Sequence, residues 1–291
     1  MNVLITGGFG FIGSKIADKV RNEGHEVTIF DINTRDGMVN GIWHIKGDIF
    51  DSKHVSEILK DCDCVIHMVG LPNARKAQKR PQLSYDLNVR STQAILEAMR
   101  ETEVGKFILP SSAAIYGRTE KSPVIEETPP NPANTYAYHK WIAEEICRCY
   151  ALNYDIESTI LRLFNVYGKE GTGIINILVE RASNDEPVVL FGEDQLRDFI
   201  HIADIAGAFS KVIECQKCAN QTINIGTGVG RSIKDIVELV RERFPSMRLE
   251  RKEFAGELYD SVADISRLKS LIGFKPDDSL DVMKRTISEM I

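Results

Sequence analysis

The chain has 291 residues, 43% hydrophobic and 27% charged, with 36 Lys and Arg against 42 Asp and Glu and a formal net charge of -6. This is the composition of a folded globular protein, and its acidic balance excludes a general electrostatic attraction to nucleic acid. No apolar run approaches the roughly 20 residues that cross a bilayer. Met1 runs into a strand-like segment with no basic leader or cleavage site, so no membrane partner and a cytoplasmic location are expected.

In chain order, residues 3–6 form an apolar run of the kind expected of a strand buried on both faces. Gly7-Gly8-Phe9-Gly10-Phe11-Ile12-Gly13 follows, and the spacing of Gly7, Gly10 and Gly13 suits a tight turn, a close approach of backbone to a pyrophosphate, and helix packing on a sheet. An amphipathic helix is predicted at residues 12–22, its N-terminal amides presented to the phosphates, and a second strand at 27–30 ends in Asp31. A carboxylate there accepts hydrogen bonds from ribose hydroxyls and repels a 2'-phosphate, so NAD is expected in preference to NADP. Further strands are predicted at 43–45, 64–68, 106–109 and 158–163, with helical stretches at 54–60, 89–100 and 141–152. This alternation predicts an α/β fold, a Rossmann-type doubly wound parallel sheet with its ligand at the carboxyl ends of the strands.

After Gly168 the pattern loosens: 184–187 and 192–194 read as turns, 233–244 and 265–272 as helices of a smaller α/β lobe. The expected organisation is a dinucleotide-binding domain over 1–168, receiving parts of 197–228, and a substrate-binding lobe over 169–291, fused across a cleft. Six cysteines occur as Cys62/Cys64, Cys147/Cys149 and Cys215/Cys218, without a second ligand pair at zinc spacing, so reduced thiols and no metal are expected. The basic run Arg75, Lys76, Lys79 and Arg80 reads as a solvated face, with contact to an anionic sugar or a phosphate as the alternative. His67 and His201 read as structural residues.

The chemistry lies between the two predicted lobes. Tyr136 and Lys140 are four apart and share a helix face, with Asn134-Thr135 at its entry. A tyrosine has an ordinary pKa of about 10, and a nearby ammonium favours its phenolate. Ser112 follows a strand and is expected beside Tyr136, where its hydroxyl would bridge a proton between substrate oxygen and phenol. A glycine loop, a serine and a Tyr/Lys pair in one chain point to redox chemistry on a carbinol.

Several ordered segments carry a family resemblance: Thr6 to Gly13, Gly47-Asp48-Ile49, Ser111-Ser112-Ala113, Tyr136 to Lys140, Arg162 to Gly168, Arg197 to His201, Ile223 to Gly228 and Ala263 to Ser266. They resemble the extended short-chain dehydrogenase/reductase family, and within it the NAD-dependent nucleotide-sugar epimerases and dehydratases of the UDP-glucose 4-epimerase type. The resemblance implies catalysis by Ser112, Tyr136 and Lys140. It implies NAD held by Gly7, Gly10, Phe11, Ile12, Gly13 and Asp31, with Asp48 and Ile49 at the adenine. Asn88, Ser111, Tyr136, Lys140, Phe164 and Val166 complete that implied cofactor site. A nucleotide sugar, UDP-linked first, would meet Ser112, Tyr136, Asn165 and Arg197. A homodimer through residues 89–100 and 141–152 is implied as well.

Family members that eliminate water or decarboxylate resemble one another in carrying an acid beside the serine, where this chain has Ala113-Ala114. Reversible oxidation at C4 is the simplest chemistry left. A dehydratase, an NAD(P)-dependent sugar or alcohol oxidoreductase, and a non-catalytic nucleotide sensor remain alternatives. The chain departs from the family pattern at Val69-Gly70, at Ser91 in place of a glycine, and at 254–257, where an arginine to the diphosphate is replaced. Arg251 or Lys252 is the candidate substitute, with a nucleotide held differently as the alternative.

Overall fold

The computed structural model describes residues 1–291 apart from Glu103, Glu120 and residues 253–258. The first half of the chain runs β1 (Asn2–Thr6), α1 (Phe11–Asn22), β2 (Glu26–Asp31), β3 (Gly37–Val39), β4 (Ile42–Lys46), α2 (Ser52–Leu59), β5 (Cys64–His67), α3 (Ala74–Lys79), α4 (Pro81–Tyr85), a π-helical turn at Asp86–Arg90, α5 (Ser91–Arg100), β6 (Lys106–Ser112), a 3-10 turn at Ala113–Tyr116, α6 (Thr135–Asn153) and β7 (Glu157–Leu163). The remainder runs β8 (Asn165–Tyr167), α7 (Ile174–Ser183), β9 (Val188–Leu190), β10 (Leu196–His201), α8 (Ile202–Glu214), β11 (Thr222–Ile225), β12 (Gly230–Ser232), α9 (Ile233–Arg241), β13 (Leu249–Arg251), α10 (Ser266–Ile272) and α11 (Leu280–Glu289).

Side chains alternate across a strand, and here each face meets its own core. Val3 and Ile5 of β1 pack with Ile16, Ala17 and Val20 of α1 and with Phe209 of α8. Leu4, between them, packs on the opposite face with Leu59 of α2, Leu96 of α5 and Cys147 of α6. Both faces of the strand are therefore dry, which is why it reads as an unbroken apolar run. The large sheet has the order β11-β7-β6-β5-β1-β2-β4-β3 and is parallel except for β3, which pairs antiparallel with β4. Sequence order reverses between β1 and β5, and a crevice opens at the carboxyl ends of strands at such a point.

The chain past Gly168 does not stay in one lobe. β8, β10 and β12 form a small sheet, β9 and β13 another, and α7, α9 and α11 close a third core around Ile175, Leu178 and Val240. By contrast, α8 packs on α1, and β11 joins the large sheet beside β7, Ile223 pairing with Leu161. Among the described residues no helix is long and apolar enough to cross a membrane.

Several boundaries differ from the sequence reading. The strand expected to end at Leu109 continues to Ser112, so Ser111 and Ser112 are strand residues. The helix expected at 141–152 begins at Thr135, capped by Asn134 Oδ1, which accepts from the Ala137 amide at 3.0 Å. Tyr136 therefore lies in its first turn, as expected. The helix expected at 89–100 begins as α5 at Ser91, after the π-helical turn.

Candidate active site

Every residue that the resemblance assigns to catalysis, cofactor or substrate lines one cavity of about 1260 Å³ above the carboxyl ends of the large sheet and the facing wall of the smaller lobe. Its floor is the glycine turn. Gly7 has φ +69°, and a Cβ there would stand 2.7 Å from the Val69 backbone nitrogen, so the loops after β1 and β5 touch. A Cβ on Gly13 would stand 2.7 Å from Gly8 Cα, which only a glycine at this helix-to-turn contact avoids. A Cβ on Gly10 would meet nothing nearer than 3.5 Å, and this residue is the N-cap of α1 without a side-chain cap, leaving the amides of Phe11, Ile12 and Gly13 toward the cavity. That cradle is built for a phosphate.

Asp31, at the end of β2, accepts the Phe9 amide at 3.2 Å on one oxygen and the Asn33 amide at 2.9 Å on the other. The carboxylate is thereby aimed, with lone pairs left for hydroxyl donors. Asp48 and Ile49 follow β4 beside it, Asp48 accepting the Phe50 amide at 3.0 Å. These residues fit the adenosine and pyrophosphate halves of NAD.

Asn88 sits in the π-helical turn and pins the next wall. Its Oδ1 accepts the Leu71 amide at 3.3 Å while its Nδ2 donates to the Ser84 carbonyl at 3.0 Å. A Cβ on Gly70 would stand 2.8 Å from that Oδ1, which accounts for the glycine in this loop. The serine at position 91 has found a partner too. Ser91 Oγ donates to the Leu87 carbonyl at 2.6 Å and lies 3.0 Å from His67 Nε2, while His67 Nδ1 lies 2.7 Å from Thr6 Oγ1. Both imidazole nitrogens are committed, so His67 is structural. His201 caps α8 by accepting the Ala203 amide at 3.3 Å.

Ser112, Tyr136 and Lys140 converge over this floor. Ser112 Oγ accepts the Ala114 amide at 3.2 Å, leaving its own hydrogen for the Tyr136 phenol. Burial raises the Tyr136 pKa, and the Ser112 hydrogen bond opposes that rise. The sequence reading had the lysine ammonium depress it; in the chain alone burial dominates, and what opposes it is the Ser112 hydrogen bond. Burial also pulls Lys140 down to about 8, with the Glu144 carboxylate opposing.

The smaller lobe supplies the opposite wall: Phe164, Asn165 and Val166 around the start of β8, Arg197 on β10. Asn165 Nδ2 donates to the Asp198 carbonyl at 3.0 Å. Arg197 donates to the Leu196 carbonyl at 2.9 Å and to the Tyr259 carbonyl, with its guanidinium 5.3 Å from the Tyr259 ring centroid. Burial lowers its pKa, the cost of holding a cation in a partly closed site.

The sequence reading missed part of this wall. Thr172 and Gly173 precede α7, whose N-terminus has no side-chain cap and lines the cavity, and Arg181 of the same helix lines it as well. The signal was the Gly-Thr-Gly run before an apolar helix. Of the basic run only Arg75 reaches the cavity. Arg251 is paired with Glu193, and neither it nor Lys252 lines the cavity, so neither is the expected substitute. Residues 254–257 lie outside the described residues.

The chain matches the NAD dependent epimerase/dehydratase family over residues 3–226. It is 30% identical over 304 residues to the UDP-glucose 4-epimerase of Corynebacterium glutamicum, covering 95% of this chain and 91% of that protein. Among solved structures it is similar to the UDP-glucuronic acid 4-epimerase of Bacillus cereus bound to UDP-glucuronic acid and NAD, at a TM-score of 0.91 and 28% identity over 100% of this chain and 98% of that one. It is also similar to the UDP-glucose 4-epimerase of Thermotoga maritima with UDP-glucose, at a TM-score of 0.89 and 27% identity over 99% and 98%.

Proposed function

The chain belongs to the NAD dependent epimerase/dehydratase family, and from that premise we propose that it is an NAD-dependent 4-epimerase of a nucleotide-activated sugar, a UDP-hexose first. One observation carries the reading. Among the described residues lining the cavity the only carboxylates are Asp31 and Asp48, both at the ends of the strands that serve the adenosine half. At the reacting end stand a hydroxyl, a phenol and an ammonium, with Ala113 and Ala114 where an eliminating or decarboxylating enzyme would need an acid.

Bound NAD+ would supply the two-electron exchange with the sugar's C4 and bring a positive charge beside the phenol. Tyr136 takes the proton of the C4 hydroxyl at its phenolic oxygen, directly or through Ser112 Oγ, which the Ala114 amide holds in place. Lys140, one turn along α6, supplies the cation that favours the phenolate at this moment. The 4-keto sugar then turns about its diphosphate linkage while Arg197 and the free N-terminus of α7 keep the phosphates. Tyr136 returns the proton to the C4 oxygen after the turn, giving the epimer with no net redox change. The chain's contribution is position and charge, which in well-oriented sites is worth on the order of 7–11 kcal/mol.

In this reading residues 1–168, with α8 and β11, hold the cofactor, and most of 169–291 holds the substrate. The working unit is a homodimer through α5 and α6, supported by exposed apolar side chains along α6, among them Tyr138, Ile142 and Leu152. Its setting is the cytoplasm, supported by six free cysteines.

The test is proton NMR of the purified protein, without added cofactor, against UDP-glucose, UDP-galactose, their N-acetyl forms and UDP-glucuronate. UDP-glucuronate is included because Arg75 lines the cavity. Appearance of a C4 epimer supports the reading and identifies the sugar. Stoichiometric consumption of added NAD(P) with no epimer overturns it in favour of net oxidoreduction.

A further inference from the structure

We propose that Glu144 is a positioning residue for this site: its carboxylate ties the Ser111-Ser112 strand end to the face of α6 that carries Tyr136 and Lys140, and keeps Lys140 charged. The proposal rests on the reading above only in taking those residues as the proton-handling group.

Tyr136, Lys140 and Glu144 recur every fourth residue and so run along one stripe of α6. The third member is fully buried. Its Oε1 accepts the Ser111 hydroxyl at 2.5 Å and Arg162 Nε at 3.0 Å; its Oε2 accepts a terminal Arg162 nitrogen at 2.7 Å and one of Arg148 at 2.9 Å. The forked Arg162 contact fixes the carboxylate to β7, and the Ser111 contact fixes it to β6. Because successive strand side chains point to opposite faces, anchoring Ser111 on one side sets Ser112 on the other, toward the Tyr136 phenol. Arg162 is itself held behind, donating to the Tyr116 hydroxyl and the Glu126 carbonyl, both at 2.9 Å. Two strands and the helix face that carries Tyr136 and Lys140 thus meet at one carboxylate under the site.

The groups facing Lys140 are Glu144 and Cys147 on α6 and His67 from β5, with Arg148 and Arg162 paired to Glu144. Burial works against the Lys140 ammonium, and Glu144 is the acid that favours it. Bonds from Arg162 and Ser111 outweigh burial and hold the Glu144 carboxyl below its ordinary value, so it stays a carboxylate.

Glu144→Gln keeps shape and an acceptor oxygen but drops the charge. In protein labelled with 13C at lysine Cε, with the Lys140 resonance assigned through Lys140→Met, the variant should titrate Lys140 about one pH unit or more lower than the parent. The alkaline limb of kcat should move with it while KM stays. Ser111→Ala, which loses the tether and keeps the charge, should lower kcat about tenfold with the Lys140 titration unmoved. Should Glu144→Gln fail to fold because Arg162 is left unpaired, Glu144→Gln/Arg162→Met removes both charges and is read the same way. A Lys140 resonance and a kcat limb that do not move in the folded variant overturn the proposal. A shifted resonance in a protein that turns over no nucleotide sugar supports it and overturns the epimerase reading instead.

Discussion

The imidazole of His67 lies buried in the field of the Lys140 ammonium, beneath the cavity that Lys140 lines. Burial first and the lysine charge second hold His67 down to about 3. The histidine is therefore neutral wherever the protein works, and its hydrogen bonds to Thr6 and Ser91 are those of a fixed spacer. Lys140 has no second cation beside it from β5, which would make its own charge harder to keep in so dry a place.

The activity should fall on the alkaline side at an unusually low pH. Lys140 is lowered from an ordinary 10.5 to about 8, burial being the cause. As pH rises through that value the ammonium is lost and with it the support for the Tyr136 phenolate. The kcat profile should bend down near pH 8, whereas an ordinary lysine would leave it flat to about pH 10. A profile measured with saturating substrate that stays level past pH 9.5 contradicts this.

His67 should make the fold sensitive to acid. Its folded value of about 3 lies below the unfolded 6.5, so between the two the unfolded chain binds a proton that the folded chain refuses. Stability then falls as pH drops through 6.5 and keeps falling toward 3, by a limit on the order of 5 kcal/mol. Replacing His67 by Gln should cost stability at pH 7 through the lost bonds, yet flatten the decline between pH 7 and 5 by about 2 kcal/mol. Urea unfolding of both proteins at the two pH values measures it. Parallel declines would show that His67 does not titrate across the transition.

How much of this was legible depended on how local each signal was. Residues 3–6 declared a strand because Val3, Leu4 and Ile5 are all buried, in cores on opposite faces. The glycine turn was legible because Gly7 and Gly13 each sit where a Cβ would meet backbone within 3 Å. α8 was passed over because its polar face is narrow: Lys211 and Glu214 are exposed, whereas Ile202, Ile205, Ala208, Phe209, Val212 and Ile213 are all buried. Strands of three residues such as β8, β9 and β12 are too short to show alternation at all. Tyr136 and Lys140 stood out by spacing, and Glu144 continues that spacing. Its partners Ser111 and Arg162 are 33 and 18 residues away, so its purpose required the fold.

The glycines of the turn should separate folding from cofactor binding. Gly13→Ala places its Cβ 2.7 Å from Gly8 Cα, a backbone atom that cannot swing aside, so about 1–3 kcal/mol of stability should be lost along with NAD affinity. Gly10→Ala meets nothing nearer than 3.5 Å and has φ -75°, so the fold should tolerate it. That Cβ would still occupy the cradle where backbone approaches the pyrophosphate, so NAD binding should weaken at unchanged melting temperature. Calorimetric NAD titration beside thermal melts distinguishes the two, and equal losses of stability would contradict the assignment.

The sharpest test of the mechanism removes one oxygen. Tyr136 is half-buried at the start of α6, and Tyr136→Phe keeps the ring that packs there while deleting the hydroxyl that meets Ser112. The lost hydrogen bond is worth about 1 kcal/mol of stability, so the variant should fold and bind NAD as the parent does. Proton transfer at C4 would lose its acceptor and donor together, and kcat should drop by roughly 10²–10⁴. Ser112→Ala should cost less, because the phenol still reaches a bound hydroxyl directly. If the Phe variant, shown to be folded and loaded, interconverts C4 epimers within tenfold of the parent rate, Tyr136 is not the proton-transfer group. The ammonium of Lys140, the titratable group nearest along the same helix face, would then be the first to re-examine.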